Sequence, residues 1–372
     1  MIPDPDPLPL PAPDELLQVL LVAVWTLHIL AVDLVVGGAI LAAATGLLRL
    51  GPPDFRSRLL QPSGRVLTIS TALLVTLGIP PLLIMQVLYG PFFFTSSILM
   101  AIPWALVIPI VIGGYLLLYG TELLRERLGR WVELARAGAA GSFAVVMLLY
   151  VGNIVLLLTP EEWREVYRDY GHAVYLHVTE PTIFPRYAHF LLAAVAVAGL
   201  AVMAYGLLVR RRDEAFGGWL LRYGGRWFLV PTLLQFAIGP LFLVTLPEAV
   251  RDEFLAGDLL ETGVLWAGVG LTLVGAALLG LGVLSSRFTA AGVAGIVAMA
   301  ATIGLMSVTR QLLRTAYLSP VYDVGALPHE THIGALVLFF ILAVLGVATV
   351  GTMVWLLARP ARPKDAAPTY QP

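Results

Sequence analysis

The chain of 372 residues is 59% hydrophobic and only 13% charged, with a formal net charge of −1 and no cysteine. A soluble domain carries about 45–50% apolar residues and about a quarter charged ones, so this composition belongs to an integral membrane protein. The missing cysteine excludes an iron–sulfur cluster, a zinc-thiolate site, a covalent c-type haem and a disulfide, and no basic tract points to nucleic acid.

The first 15 residues, MIPDPDPLPLPAPDE, are acidic and proline-rich and lack the basic start of a secretory signal, which predicts an outer segment kept ahead of the first helix. About 20 apolar residues are needed to cross roughly 30 Å of hydrocarbon. Nine segments meet that requirement: 16–47, 66–88, 97–120, 137–158, 187–209, 228–246, 262–284, 289–313 and 333–357. The expected fold is therefore all-α, a polytopic membrane helix bundle forming one transmembrane domain over residues 16–358, followed by a cytoplasmic tail at 359–372. Pro80, Pro81, Pro103 and Pro109 are expected to break or kink the second and third helices. Small residues in GGAILAAATG, AGAAG and GVAGIVAMAAT let helix backbones approach closely. The stretch EEWREVYRDYGHAVYLHVTEP reads as an amphipathic surface helix.

Arginine and lysine are retained on the cytoplasmic side. With the N-terminus outside, 17 of the 23 basic residues fall in inner loops, at 49–65, 125–136, 210–226, Arg287, Arg359, Arg362 and Lys364. An odd helix count then puts the C-terminus inside, so count and charge agree. The outer loops collect acids, among them Glu161, Glu162, Glu165, Asp169, Glu180, Glu248, Asp252, Glu253, Asp258 and Glu261. Such a field steers a basic soluble partner, although loops free of selection for arginine are often acidic in any case.

Polar and ionisable groups in hydrocarbon are costly and usually face the bundle interior. Those found within the segments are His28, Asp33, Gln86, Asn153, His189, Gln235, Met306 and Arg310. His28 lies on the order of 18 Å along the first helix, where an imidazole is either hydrogen-bonded or ligates a metal. Asp33 follows at i+5, a poor spacing for direct contact with His28, and fits a proton or polar-network role. His189 opens the fifth helix and shares a stripe with Ala193, Ala196 and Gly199 that would leave a groove for a flat macrocycle or simply pack helices. Met306, Arg310 and Arg314 recur at i, i+4 and i+8 on the eighth helix. They read as an axial sulfur with two arginines for haem propionates, or as a core methionine with two interfacial arginines. His332 flanks the ninth helix on the same outer side as His189 and is an alternative second ligand, whereas His172, His177 and His329 read as surface histidines.

The nine helices, the histidine in TLHILAVDLVVGG and the histidine in FPRYAHFLLAAVAVAGL resemble the large, haem-carrying subunit of the cytochrome bd quinol oxidase superfamily. The segments LGIPPLLIMQVLYGPFFFTSSILMAIPW, YVGNIVLLLTPEEW, PTLLQFAIGPLFLVTLP and RQLLRTAYL resemble more particularly its bd-like oxidoreductase branch, which works with c-type cytochromes. The resemblance spans nearly the whole chain. It implies that His28 ligates a haem of the buried pair and His189 the outer low-spin haem b. It also implies a second membrane subunit and a c-type cytochrome on the outer face as partners.

The sequence departs from that pattern in three places. Residues 97–120 hold no acid where the oxidases carry glutamates, the loop at 248–261 is short where they carry a long quinol-binding loop, and TGVLWAGVG lacks their methionine ligand. Terminal oxygen reduction and quinol oxidation at that loop are accordingly not expected, and Met306 or His332 would have to replace the missing methionine. The expectation is a b-type cytochrome subunit of a respiratory complex in the bacterial inner membrane. It would pass electrons between the quinone pool and the c-type cytochrome, with haem b and quinone as redox groups, as part of a quinol:cytochrome c type oxidoreductase. The rivals are a haem-free membrane anchor of such a complex, favoured by the missing ligands, and a solute or ion transporter lined by Asp33, Gln86, Asn153 and Gln235. No inverted repeat supports the transporter.

Overall fold

The computed structural model describes residues 8–170, 175–176, 178–257, 259–284 and 289–358. His172, His177, Asp258, Arg287 and the tail 359–372 lie outside the described residues, as do residues 1–7 of the N-terminal segment.

Among the described residues, twelve α-helices follow one another: α1 (Asp14–Leu47), α2 (Pro53–Leu99), α3 (Ala101–Leu123), α4 (Arg125–Leu128), α5 (Val132–Leu158), α6 (Trp163–Tyr170), α7 (Ile183–Val209), α8 (Glu214–Thr245), α9 (Glu248–Leu255), α10 (Leu259–Leu284), α11 (Thr289–Leu318) and α12 (Ile333–Ala358). Eight of them, α1, α2, α3, α5, α7, α8, α10 and α11, are long and apolar enough to cross a membrane. The apolar α12 adds 26 residues, about 39 Å of helix at the usual rise. The chain is thus a multi-pass membrane helix bundle. Only helices can do this in hydrocarbon without closing a barrel, because every backbone donor and acceptor is satisfied within its own segment.

Helix α1 is the hub and packs on α2, α5, α7 and α11, while α7 pairs with α8, α10 with α11 and α3 with α5. Its closest crossing is with α7. A Cβ built on Gly37 would lie 1.9 Å from the carbonyl oxygen of Ala194, so only hydrogen at this position lets the two backbones touch. We call the end of the bundle at which α1 begins the proximal end and the opposite one the distal end.

The second and third segments differ from expectation. Helix α2 runs 47 residues and stays helical through Pro80 and Pro81, and its backbone leaves helical geometry at Tyr89 (φ −129°, ψ 33°), two residues before Pro91. A proline ring removes one donor and crowds the preceding turn. Here the loosened turn is held from outside, because the Tyr322 hydroxyl donates to the Leu88 carbonyl at 2.9 Å. The break redirects Phe92 and Phe93 into a proximal core with Leu10, Leu17, Leu21, Tyr89, Leu156, Trp163 and Val324. The N-terminal segment closes this cap. Leu10 N–H donates to Pro328 O and Glu330 N–H donates to Leu10 O, both at 2.8 Å, and His332 N–H donates to Pro11 O at 3.1 Å.

At the distal end, Asp213 caps α8 by accepting from Phe216 N–H at 2.9 Å, and it pairs with Arg58 of α2 at 2.8 Å. The backbone N–H first, and the Arg58 guanidinium after it, hold this carboxyl below its ordinary value. A depressed carboxylate contributes stability above its unfolded pKa and loses it as pH falls through the folded one. We therefore expect the difference in melting temperature between the native chain and Asp213→Ala, measured in detergent, to be present at pH 6 and to vanish toward pH 3. Deeper in, Arg136 of α5 is 3% exposed, pairs with Glu133 at 2.7 Å and donates to the Leu60 carbonyl at 3.1 Å, which ties α5 to α2. Helix α12 is different: Val337, Phe340, Leu342, Val344 and Val347 are exposed on all its sides, leaving an apolar surface suited to lipid.

Candidate functional site

In the proximal half of the bundle, α1 presents Trp25 and His28 toward α2 and α11. The two rings meet edge-on at 5.7 Å. His28 Nδ1 is buried without a close hydrogen-bond partner, and the imidazole lies within longer hydrogen-bonding reach of the Leu74 backbone of α2. Gly78, one turn further along α2, makes room for the imidazole, since a Cβ there would come within 2.9 Å of Cε1 and 3.3 Å of Nδ1.

Helix α11 delivers the cations. The Arg310 guanidinium stacks on the Trp25 ring at 3.7 Å and lies within electrostatic reach of His28, Arg314 and Arg186. One turn on, Arg314 is 3% exposed, lies 5.0 Å from the Tyr89 ring and donates to Gln311 Oε1. Gln311 in turn donates to the Tyr89 hydroxyl at 2.8 Å and reaches Gln18 of α1 at 3.3 Å. The kink of α2 thereby serves the site, because it places Tyr89 under this arginine.

Helices α7 and α8 supply the second histidine. The His189 carbonyl accepts from Gln235 Nε2 at 2.8 Å, which fixes α8 against α7, while His189 Nδ1 and Gln235 Oε1 are both buried and unpartnered. Arg186, three residues before His189 and near it in space, is 4% exposed. Its Nε and Nη2 have no partner, its guanidinium lies 4.8 Å from the Phe242 ring, and the Tyr317 hydroxyl contacts it. Among the described residues, no salt bridge reaches Arg186, Arg310 or Arg314. Buried polar groups are almost always hydrogen-bonded, and a buried charge is ordinarily paired. A set of orphaned imidazole nitrogens beside arginines that form no salt bridge therefore suits a ligand that brings a Lewis acid and negative charge.

Not every sequence candidate joins this site. The terminal methyl of Met306 fills the notch at Gly268 of α10, where a Cβ would lie within 2.1 Å of it. The thioether is used there for packing between α10 and α11. His332 is exposed beside the N-terminal segment. Asp33 and Asn153 are each 3% exposed, with Asp33 Oδ1 and Asn153 Nδ2 unpartnered, and Gln86 is half-buried. Sequence reasoning missed Arg186, Trp25, Gly78, Gln311 and Tyr89. For Arg186 a signal existed: in FPRYAH it stands one helical turn before His189, on the same face.

The proximal end also carries acids. Glu162 is pushed above its ordinary value, first by burial and then by Glu161, Glu180 and Glu165 around it. Glu180 turns inward and accepts from the Thr182 backbone N–H at 2.7 Å and from its hydroxyl.

No family model matches this chain, and no curated protein matches it.

Proposed function

We propose that the chain is a b-type cytochrome subunit of a respiratory electron-transfer complex in the bacterial inner membrane, passing electrons between the quinone pool and a c-type cytochrome on the proximal, outer side. One observation supports the reading: two membrane histidines, His28 and His189, each keep a buried Nδ1 without a close hydrogen-bond partner, next to three arginines that form no salt bridge among the described residues. These residues fit haem b by donor chemistry. Neutral imidazole is a strong axial ligand for haem iron and guanidinium pairs with carboxylates bidentately.

When bound, haem b supplies reversible one-electron chemistry. The chain's own residues hold and insulate it. His28 and His189 would each ligate a haem of their own, from α1 and α7. Arg310 and Arg314 would hold propionates, and the aromatic and aliphatic side chains of the proximal core exclude water. The acids around Glu162 would receive a basic soluble partner. A second membrane subunit completes the proposed complex.

A second reading, a haem-free anchor of a respiratory complex, is favoured by the packing of Met306 into the Gly268 notch and the exposure of His332. These two were the candidates for the second ligand of the outer haem. A dithionite-reduced minus oxidised spectrum of the purified chain, with a pyridine haemochrome assay, separates the two. Noncovalent b haem in the isolated chain is the expected result. An isolated chain without haem, drawn from a complex whose haem resides in other subunits, would establish the anchor.

A further inference from the structure

Three guanidinium groups lie within electrostatic reach of one another near the proximal end, and two of them are already held in place. Arg310 sits over the Trp25 ring and Arg314 is held by Gln311 and Tyr89. Arg186 differs, because two of its nitrogens are buried and satisfied by nothing. Glu180 lies within electrostatic reach but is engaged elsewhere, since it accepts from the backbone and hydroxyl of Thr182 and forms no salt bridge to Arg186 among the described residues. The Tyr317 hydroxyl contacts the guanidinium without offsetting its charge. Burying such a cation is costly unless an anion meets it.

We infer that Arg186 completes, with Arg310 and Arg314, a cradle for a ligand that carries two carboxylates, gripped from α7 on one side and α11 on the other. The identity of the ligand rests on the cytochrome reading, whereas its negative charge rests on the three arginines. The spacing gives Arg186 a specific task. Residues i and i+3 are neighbours on a helix surface, so Arg186 and His189 offer a cation and a metal ligand from adjacent turns of one rigid element. A macrocycle ligated by His189 would be clamped at its acidic edge by the same helix. Arg310, anchored on Trp25 beside His28, does the corresponding work from the other side.

The test uses the full chain, purified free of haem, titrated with haemin and with haemin dimethyl ester, which keeps the ring and iron and loses both charges. Binding is read from the Soret band and from tryptophan quenching. The native chain is expected to prefer haemin over the ester by about a hundredfold, consistent with two charge-assisted contacts. Arg186→Gln should cut that preference about tenfold, leave the affinity for the ester unchanged, and leave the melting temperature of the haem-free chain unchanged or higher. Arg186→Lys should retain most of the preference, and Arg186→Met supplies a second neutral variant if the glutamine form does not fold. Equal binding of haemin and ester by the native chain would overturn the cradle and leave the cytochrome reading standing. An unchanged preference in the folded neutral variants would remove Arg186 from it, and a lowered melting temperature with ligand preference intact would make Arg186 a structural tie to Tyr317. A native chain that binds neither compound would overturn both readings.

Discussion

Replacing Gly37 with valine is expected to cost the bundle about 3 kcal/mol or more, at the upper end of what overpacking does in a well-filled core. The added carbons would enter the space of the Ala194 backbone, and backbone, unlike the end of a flexible side chain, cannot swing away. Helices α1 and α7 would have to separate, and with them the elements that carry His28 and His189. Gly270 is the matched control. A Cβ there meets nothing within 4 Å, so Gly270→Val should change stability by no more than about 0.5 kcal/mol. Thermal or SDS unfolding in detergent micelles reads both. Equal melting of the two variants would show that α1 and α7 do not cross tightly at Gly37.

The second large effect concerns the histidines. His189→Ala is expected to remove a low-spin b-haem signal and to weaken haem retention by more than about a hundredfold, beyond the loss typical of residues that only support a metal ligand, while the chain stays inserted. Its effect on the haem-free protein should be small, within about 1 kcal/mol, because the buried Nδ1 has no hydrogen bond to lose. His28→Ala should act in the same way on a different haem. The pairing of a large spectral effect with a small structural one marks a ligand, since a histidine kept for packing would show the reverse. A spectrum unchanged by His189→Ala would sink that ligand assignment.

The spans were legible because hydrocarbon imposes a length and a composition that few other environments share. The expected first segment, 16–47, became Asp14–Leu47, and the fifth, 187–209, became Ile183–Val209. What could not be read was where a local irregularity would be absorbed. Pro80 and Pro81 are obvious breakers in a sequence, yet α2 passes through them and breaks at Tyr89, where the Tyr322 hydroxyl can hold the freed turn. That hydroxyl comes from 234 residues away, a separation no local pattern encodes. The site divides in the same way. The presence of His28, His189 and Arg310 in apolar runs was visible, because charge and imidazole are conspicuous in hydrocarbon. The direction taken by Met306 was not, because its choice between α7 and α10 depends on the notch that Gly268 happens to open across the α10–α11 contact.

The strap between Leu10 and Pro328 has a topological consequence. Two peptide segments that exchange backbone hydrogen bonds occupy one aqueous compartment, so the path joining them crosses the membrane an even number of times. The eight long apolar helices between those residues satisfy that parity. A crossing by the apolar α12 would make the total odd, which is what the arginine distribution expects. The closure also has a timing. Leu10 leaves the ribosome more than 300 residues before its partner, so the proximal cap shuts only after the intervening helices are threaded.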